Sequence, residues 1–194
     1  MPRQIGAGQA RGAAVSLWSI GRQAALAAIG LTPIAFAPTT ASAQLTFGSP
    51  GDPPKVAVGA GAFDITPGNH RDSKTAAEFR GEYRFGDMFW IVAPFVGVQG
   101  TSDGAFYGYG GLGFDVNFTP NLVLTPNVAA GYFAPGSGTR LGYPLEFRSG
   151  AELAWRFADM SRLGVAVHHI SNAGLGKHNP GEQEVLVMYS FPFP

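Results

Sequence analysis

From Lys55 onward the chain repeats one rhythm: about ten residues rich in Val, Phe, Tyr, Gly and Ala, then a cluster of turn formers. Eight such runs occur, Lys55–Ile65, Thr75–Phe85, Phe89–Gln99, Ala105–Phe118, Leu122–Phe133, Leu145–Phe157, Arg162–Ser171 and Glu184–Phe193. Pro67-Gly68-Asn69, Ser102-Asp103-Gly104, Pro135-Gly136-Ser137-Gly138 and the Lys177–Gly181 stretch separate some of them, each with turn chemistry. Within the runs, character alternates with the period of two that marks a strand. Phe106, Gly108, Gly110, Leu112, Phe114, Val116 and Phe118 face one way, while Tyr107, Tyr109, Gly111, Gly113, Asp115 and Asn117 face the other. In Phe89–Val98 both faces are apolar. After Gln44 no segment sustains a helical stripe or an apolar run long enough to cross a membrane as a helix. Short separators (Gly86-Asp87, Thr119-Pro120-Asn121, Ala158-Asp159-Met160) alternate with longer ones, the asymmetry of short periplasmic turns and longer outer loops. The pattern predicts an all-β fold, an eight-stranded antiparallel up-and-down transmembrane β-barrel.

Composition selects between a membrane barrel and a soluble carrier barrel of similar strand count. Only 13% of the residues are charged, against roughly 25% in soluble domains. The 28 glycines suit a narrow lumen, and Phe and Tyr at strand ends suit the interfacial girdles of a membrane barrel. Glu78, Arg80, Glu82 and Arg84 share one strand face; four charges cannot face lipid, so they must face the lumen, with Glu146, Arg148, Glu152 and Arg156 as expected partners. Pro192 donates no ladder bond, so pairing of the last strand is expected to stop there or to leave that position free. The formal net charge is zero without a basic run, which removes the footprint of a nucleic-acid binder. The absence of cysteine excludes disulfides, thiol chemistry and Cys-based metal sites, and four histidines leave any other metal site little to build on.

Residues 1–43 follow a different logic. Arg3, Arg11 and Arg22 precede the apolar stretch Ala24–Ala37 and the small-residue site Ala41-Ser42-Ala43, the three requirements of a secretory signal peptide. Residues 44–194 are then the barrel domain, with 10 basic and 13 acidic residues once three arginines and no acid have left.

Candidate chemistry concentrates in Leu163–Gln183. Leu163, Val165, Val167, His169 and Ser171 share a face whose first three members suit lipid, so an imidazole and a hydroxyl at i, i+2 continue a lipid-facing stripe. That spacing suits a base activating a nucleophile. Away from water it is costly unless it serves a purpose, although at the headgroup level it would cost little. His168 points to the lumen, while His70 and His178 fall in loops. Gly108–Gly113 is glycine-rich but lies within a strand with no helix or lysine after it, so it is not a phosphate loop.

The string His169-Ile170-Ser171-Asn172-Ala173-Gly174-Leu175, the loop ending Asn179-Pro180-Gly181 and the final strand resemble the PagL-type lipid A deacylases, the acyloxyacyl hydrolase family of outer-membrane barrels. The resemblance implies an outer-membrane serine esterase acting on lipid A of lipopolysaccharide and releasing a 3-hydroxy fatty acid, with His169 as general base, Ser171 as nucleophile and Asn172 and Gly174 as oxyanion donors. The resemblance implies a reaction that needs no metal or nucleotide cofactor, and it leaves a homodimer open. The family's orienting acid falls on Gln183, between Glu182 and Glu184; alternation also puts Gln183 on the lipid face with Val185, Val187, Tyr189 and Phe191. A Gln carbonyl can hold the ring without stabilising the imidazolium by charge. A bulge near Gly181 would instead bring Glu184 or Glu182 to the site. The alternative function is a non-catalytic structural or adhesive barrel with an impaired site.

Overall fold

The computed structural model describes residues 44–66, 74–86 and 89–193. The signal-peptide expectation and the loop histidine His70 therefore lie outside the described residues. Ten strands occur in them: β1 (Thr46–Phe47), β2 (Lys55–Phe63), β3 (Ala76–Arg84), β4 (Val92–Thr101), β5 (Phe106–Phe114), β6 (Val116–Asn117), β7 (Leu122–Ala134), β8 (Leu145–Arg156), β9 (Arg162–Ser171) and β10 (Glu182–Pro192). All pairings are antiparallel, successive long strands are neighbours, and β10 returns to β2, which closes the sheet. β5 and β6 both pair with β7 and form one barrel strand interrupted at Asp115, so the barrel has eight staves. β4 leaves this strand at Phe114, and β1 takes the place beside β6. The expected architecture is the observed one.

Both barrel ends follow local chemistry. At one end the turns are short: Thr119 Oγ1 accepts from the N–H groups of Asn121 (3.2 Å) and Leu122 (2.9 Å), and Asp159 Oδ1 accepts from Ser161 N (3.0 Å) and Ser161 Oγ (2.7 Å). The β3–β4 connection is longer than Gly86-Asp87 suggested, because Phe89 and Val92 exchange backbone bonds around Trp90, whose φ is 61°. Exposed Phe85, Phe89, Trp90, Trp155, Phe157, Phe191 and Phe193 ring this end. Pro192 is still paired, in register with Lys55 of β2, while the β9 ladder stops at Ser190; its missing N–H therefore costs no bond to β9.

The lumen is filled rather than open. Toward the end that carries the longer loops, Phe63, Tyr107, Phe133 and Ile170 pack with Leu141, which reaches in from the β7–β8 loop. Tyr109 lies against Gly97, where an added Cβ would sit 2.7 Å from its ring, so the glycine makes room for the aromatic. Below the aromatics runs an ion-pair network: Arg80 pairs with Glu78 (2.7 Å) and Glu184, Arg148 with Glu82 (3.1 Å), and Arg84 with Glu82 (2.8 Å) and Glu152 (2.7 Å). The Arg148 guanidinium also lies 4.2 Å from the centre of the Tyr109 ring. Two expected partners behave otherwise. Arg156 sits too close to the short-turn end and approaches Asp115 (3.4 Å) and Asp52 (3.6 Å). Glu146 lies on the aromatic side, where no arginine among the described residues pairs with its carboxylate, which meets the Tyr143 backbone instead.

Candidate active site

β9 alternates without interruption. Arg162, Gly164, Ala166, His168 and Ile170 are buried, whereas Leu163, Val165, Val167 and His169 are exposed on the outer surface and Ser171 is half-exposed beyond them. His169 and Ser171 thus sit outside the barrel, at the loop-rich end of an apolar stripe. His168 faces inward, its Nδ1 3.1 Å from both Arg80 Nη1 and Glu184 Oε1, and belongs to the lumen network.

The sheet ladder decides what flanks His169. Gln183 of β10 is its direct cross-strand partner and Ser149 of β8 the partner on the other side. Gln183 Nε2 lies 3.3 Å from His169 Nδ1, and Thr66 Oγ1 bonds Gln183 Oε1. An amide turned over presents the complementary pattern, with Oε1 accepting from Nδ1–H and Nε2 donating to Thr66. Either way the amide grips the imidazole at Nδ1. The opposite edge of the ring lies over Gly181, where an added Cβ would meet His169 Cε1 at 2.7 Å and Nε2 at 3.3 Å. Gly181 (φ 64°) precedes Glu182, the partner of Ile170, so the Nε2 edge points along the strand toward the Ser171 row. That is the orientation in which Nε2 serves the hydroxyl and Nδ1 is held from behind.

Glu182 and Glu184 do not reach this face. Both are buried in the lumen, where Glu182 accepts from Asp64 N (3.0 Å) and Glu184 bonds Arg80, Gln99 Nε2 (2.9 Å) and His168. No bulge slips the register, because the β9–β10 ladder runs unbroken from Glu182 to Ser190. The position across from His169 is Gln183.

After Ser171 the chain leaves the sheet through Ala173 (φ 51°) and Gly174 (φ 81°). Asn172 organises this turn and is fully buried. Its Nδ2 donates to Leu141 O and His178 O (both 2.8 Å), and its Oδ1 accepts from Gly174 N (3.0 Å). Its side chain therefore does not face Ser171 as a free donor, contrary to the role expected for it. Gly174 is exposed in the same turn, but its N–H is engaged with Asn172 Oδ1 and is not a free donor either. Sequence reasoning missed Asn179, an exposed residue whose Oδ1 accepts from Asn172 N (2.9 Å), leaving its Nδ2 for another partner beside Ser171. Its place just before Pro180-Gly181, in the segment that turns back into β10, was the available signal. His178 is exposed in this loop, as expected.

Outside the barrel, a shallow trough begins at His169 and Ser171 and crosses β8, β7 and β5 along Ser149, Ala130 and Gly110, between Phe147 on one side and Val128 and Leu112 on the other. The site therefore combines a base, a hydroxyl and an amide clamp at the head of an apolar trough.

A closed eight-stave antiparallel barrel whose outer surface carries His169 beside Ser171 defines the class, an outer-membrane-type barrel with an external candidate site. Residues 95–192 match the family Lipid A 3-O-deacylase (PagL), and the chain belongs to that family. The crystal structure of the outer membrane enzyme PagL superposes with a TM-score of 0.58 at 19% identity, covering 72% of this chain and 99% of that one. A de novo designed transmembrane β-barrel (14% identity, TM-score 0.46, 72% of this chain and 95% of that one) and the Yersinia pestis outer membrane protein Ail (13%, 0.42, 71% and 99%) are more distant. No curated protein matches the sequence.

Proposed function

We propose that this chain is a serine esterase of the bacterial outer membrane that hydrolyses an ester-linked acyl chain of lipid A, after export and removal of residues 1–43. The observation that carries the reading is the outward pair His169 and Ser171, with the imidazole held at Nδ1 by Gln183 and its Nε2 edge turned toward the Ser171 row. A lipid in the same leaflet meets the nucleophile without entering the filled lumen.

His169 Nε2 takes the Ser171 proton as Oγ attacks the acyl carbonyl. The oxyanion is met by Asn179 Nδ2, held in place by the bond from Asn172 N to Asn179 Oδ1, because the Gly174 N–H is already taken by Asn172 Oδ1. Collapse expels the sugar hydroxyl, which takes the proton from His169. Water, deprotonated by the same imidazole, then cleaves the acyl-enzyme, releases the fatty acid and restores Ser171.

Membership in a lipid A 3-O-deacylase family supports the substrate class. Mass spectrometry of lipid A from a Gram-negative host tests the reading: wild type should remove one hydroxyacyl mass and Ser171→Ala should not. Unchanged lipid A with inserted wild type would favour the second reading, a non-catalytic barrel. That reading is supported by Gln183, which leaves no carboxylate facing His169 among the described residues.

A further inference from the structure

Thr66 reaches the site across the seam where the barrel closes. Ile65 N donates to Gln183 O (2.9 Å) and Asp64 N to Glu182 Oε2 (3.0 Å), so the chain leaving β2 is tied to the start of β10. Asp64 is itself held, its backbone O by Thr75 Oγ1 (2.7 Å) and its Oδ2 by Thr139 Oγ1 (2.7 Å). Two residues on, the Thr66 side chain meets Gln183 Oε1, while Gln183 Nε2 lies at His169. No other group among the described residues bonds the Thr66 hydroxyl. Its one proton is therefore free to point at the amide or away from it.

A carboxylate across from His169 would present acceptors only, and Nδ1 would always carry the proton. An amide has a donor end and an acceptor end, and the end that faces the imidazole decides the tautomer. With Gln183 Nε2 toward the ring, the amide donates to His169 Nδ1, Thr66 donates to Oε1, and the neutral imidazole carries its proton on His169 Nε2. That nitrogen then accepts no proton from Ser171. With the amide turned over, Oε1 accepts from Nδ1–H, His169 Nε2 is a free base, and the amide donates to Thr66 Oγ1.

We infer that Thr66 is a positioning residue: through Gln183 it sets which nitrogen of His169 holds the proton, and so whether Nε2 is free to take the proton of Ser171. The inference rests on the esterase reading of the same site. A hydroxyl both donates and accepts, so the two arrangements keep the same number of hydrogen bonds and the wild type populates both. In passing between them, His169 gives its Nε2 proton to water and takes one at Nδ1 while the amide turns. A group at residue 66 that only accepts locks the form with Nε2 free, and one that only donates locks the other.

The test is nitrogen NMR of micelle-embedded protein labelled in its histidine rings, at alkaline pH where the imidazole is neutral, with His169 assigned by its loss in His169→Ala. Thr66→Asp should shift the tautomer ratio toward Nδ1–H by roughly tenfold, the worth of one hydrogen bond made instead of lost. Thr66→Lys should shift it toward Nε2–H by a similar factor and lower kcat for lipid A deacylation with it. Thr66→Ser, which keeps the hydroxyl, should keep the wild-type ratio. Gln183→Glu has no donor end, so adding Thr66→Lys there should leave the proton on Nδ1, which separates hydrogen bonding from the charge introduced at residue 66. One unchanged tautomer across wild type, Thr66→Asp and Thr66→Lys, or a Thr66→Lys shift that persists in Gln183→Glu, would overturn the inference. Because the spectrum needs no turnover, the esterase reading fails separately, through unchanged lipid A with wild type.

Discussion

Gln183 stands directly across the β9–β10 ladder from His169, its amide 3.3 Å from Nδ1, with Thr66 holding the far end of that amide. The ring is thereby oriented by a neutral group, whereas an imidazolium formed during acyl transfer is best stabilised by a carboxylate. Gln183→Glu places that charge at the same atom without altering the backbone. It should raise kcat for lipid A deacylation on the order of tenfold, while Gln183→Leu, which removes the grip, should lower it. Single-turnover release of fatty acid from purified lipid A measures both. A Gln183→Glu protein no faster than wild type would mean that charge at this position does not limit the reaction.

Gly181 is the other wall of the His169 site. A Cβ there would press on Cε1 at 2.7 Å, and its φ of 64° disfavours any side chain. Gly181→Ala should cost about 1–2 kcal/mol of stability from the backbone alone and push the ring out of the Ser171 row. Activity should therefore fall further than the loss of folded protein explains. Comparing the heat-modified gel shift with the specific activity of the folded fraction separates the two effects, and a fully active folded fraction would show that the ring tolerates the methyl group.

The strands were legible because burial alternates where residue type alternates: Tyr107, Tyr109, Asp115 and Asn117 are buried and Phe106 and Leu112 exposed, as the pattern required. Boundaries moved where the pattern was ambiguous. Phe89–Gln99 became Val92–Thr101 because apolar residues on both faces hide where a strand begins. The last strand begins at Glu182 rather than Glu184, since acids buried in a charged lumen read as loop. His169, Ser171 and Gln183 could be paired from the β9–β10 hairpin alone. Thr66 could not: it reaches Gln183 only because β2 closes the barrel against β10, a contact 117 residues away in sequence. Leu141 and Asn172 meet through a loop-to-loop bond that no periodicity encodes.

At the short-turn end, residues ahead of β2 are strapped to the barrel by β1, by Gly48 N donating to Asp115 O (2.8 Å) and by Asp52, which meets Lys55 Nζ (2.9 Å) and Arg162 Nη2 (2.7 Å). Burial alone would raise the Asp52 pKa, but Lys55 and Arg162 outweigh it and hold the carboxyl below its ordinary value. A depressed folded pKa stabilises the strap above the ordinary carboxylate value of about 3.9, and that contribution is lost as pH falls through the folded pKa. A spin label at Leu45→Cys, unique in a chain without cysteine, should be immobile at neutral pH and mobile in acid. Adding Asp52→Asn should loosen it at both. A label equally immobile in acid would assign the strap to its backbone pairing alone.

Asn172 separates two ways in which a residue beside a nucleophile can matter. Its amide is buried and saturated, with two carbonyls on Nδ2 and Gly174 N on Oδ1. Asn172→Ala leaves those groups unpaired, at a cost of about 2–4 kcal/mol, and unties the β7–β8 loop from the turn that follows Ser171. Stability and activity should fall together. Asn179 is exposed and ties down only one N–H, so Asn179→Ala should shift the unfolding midpoint little, by less than about 1 kcal/mol, while lowering kcat through loss of an oxyanion donor. Urea unfolding of the refolded proteins, set beside their kcat values, reads both quantities. If Asn172→Ala kept wild-type stability and lost only kcat, the oxyanion would belong to Asn172 itself, and its amide would have to leave Leu141 and His178 when substrate binds.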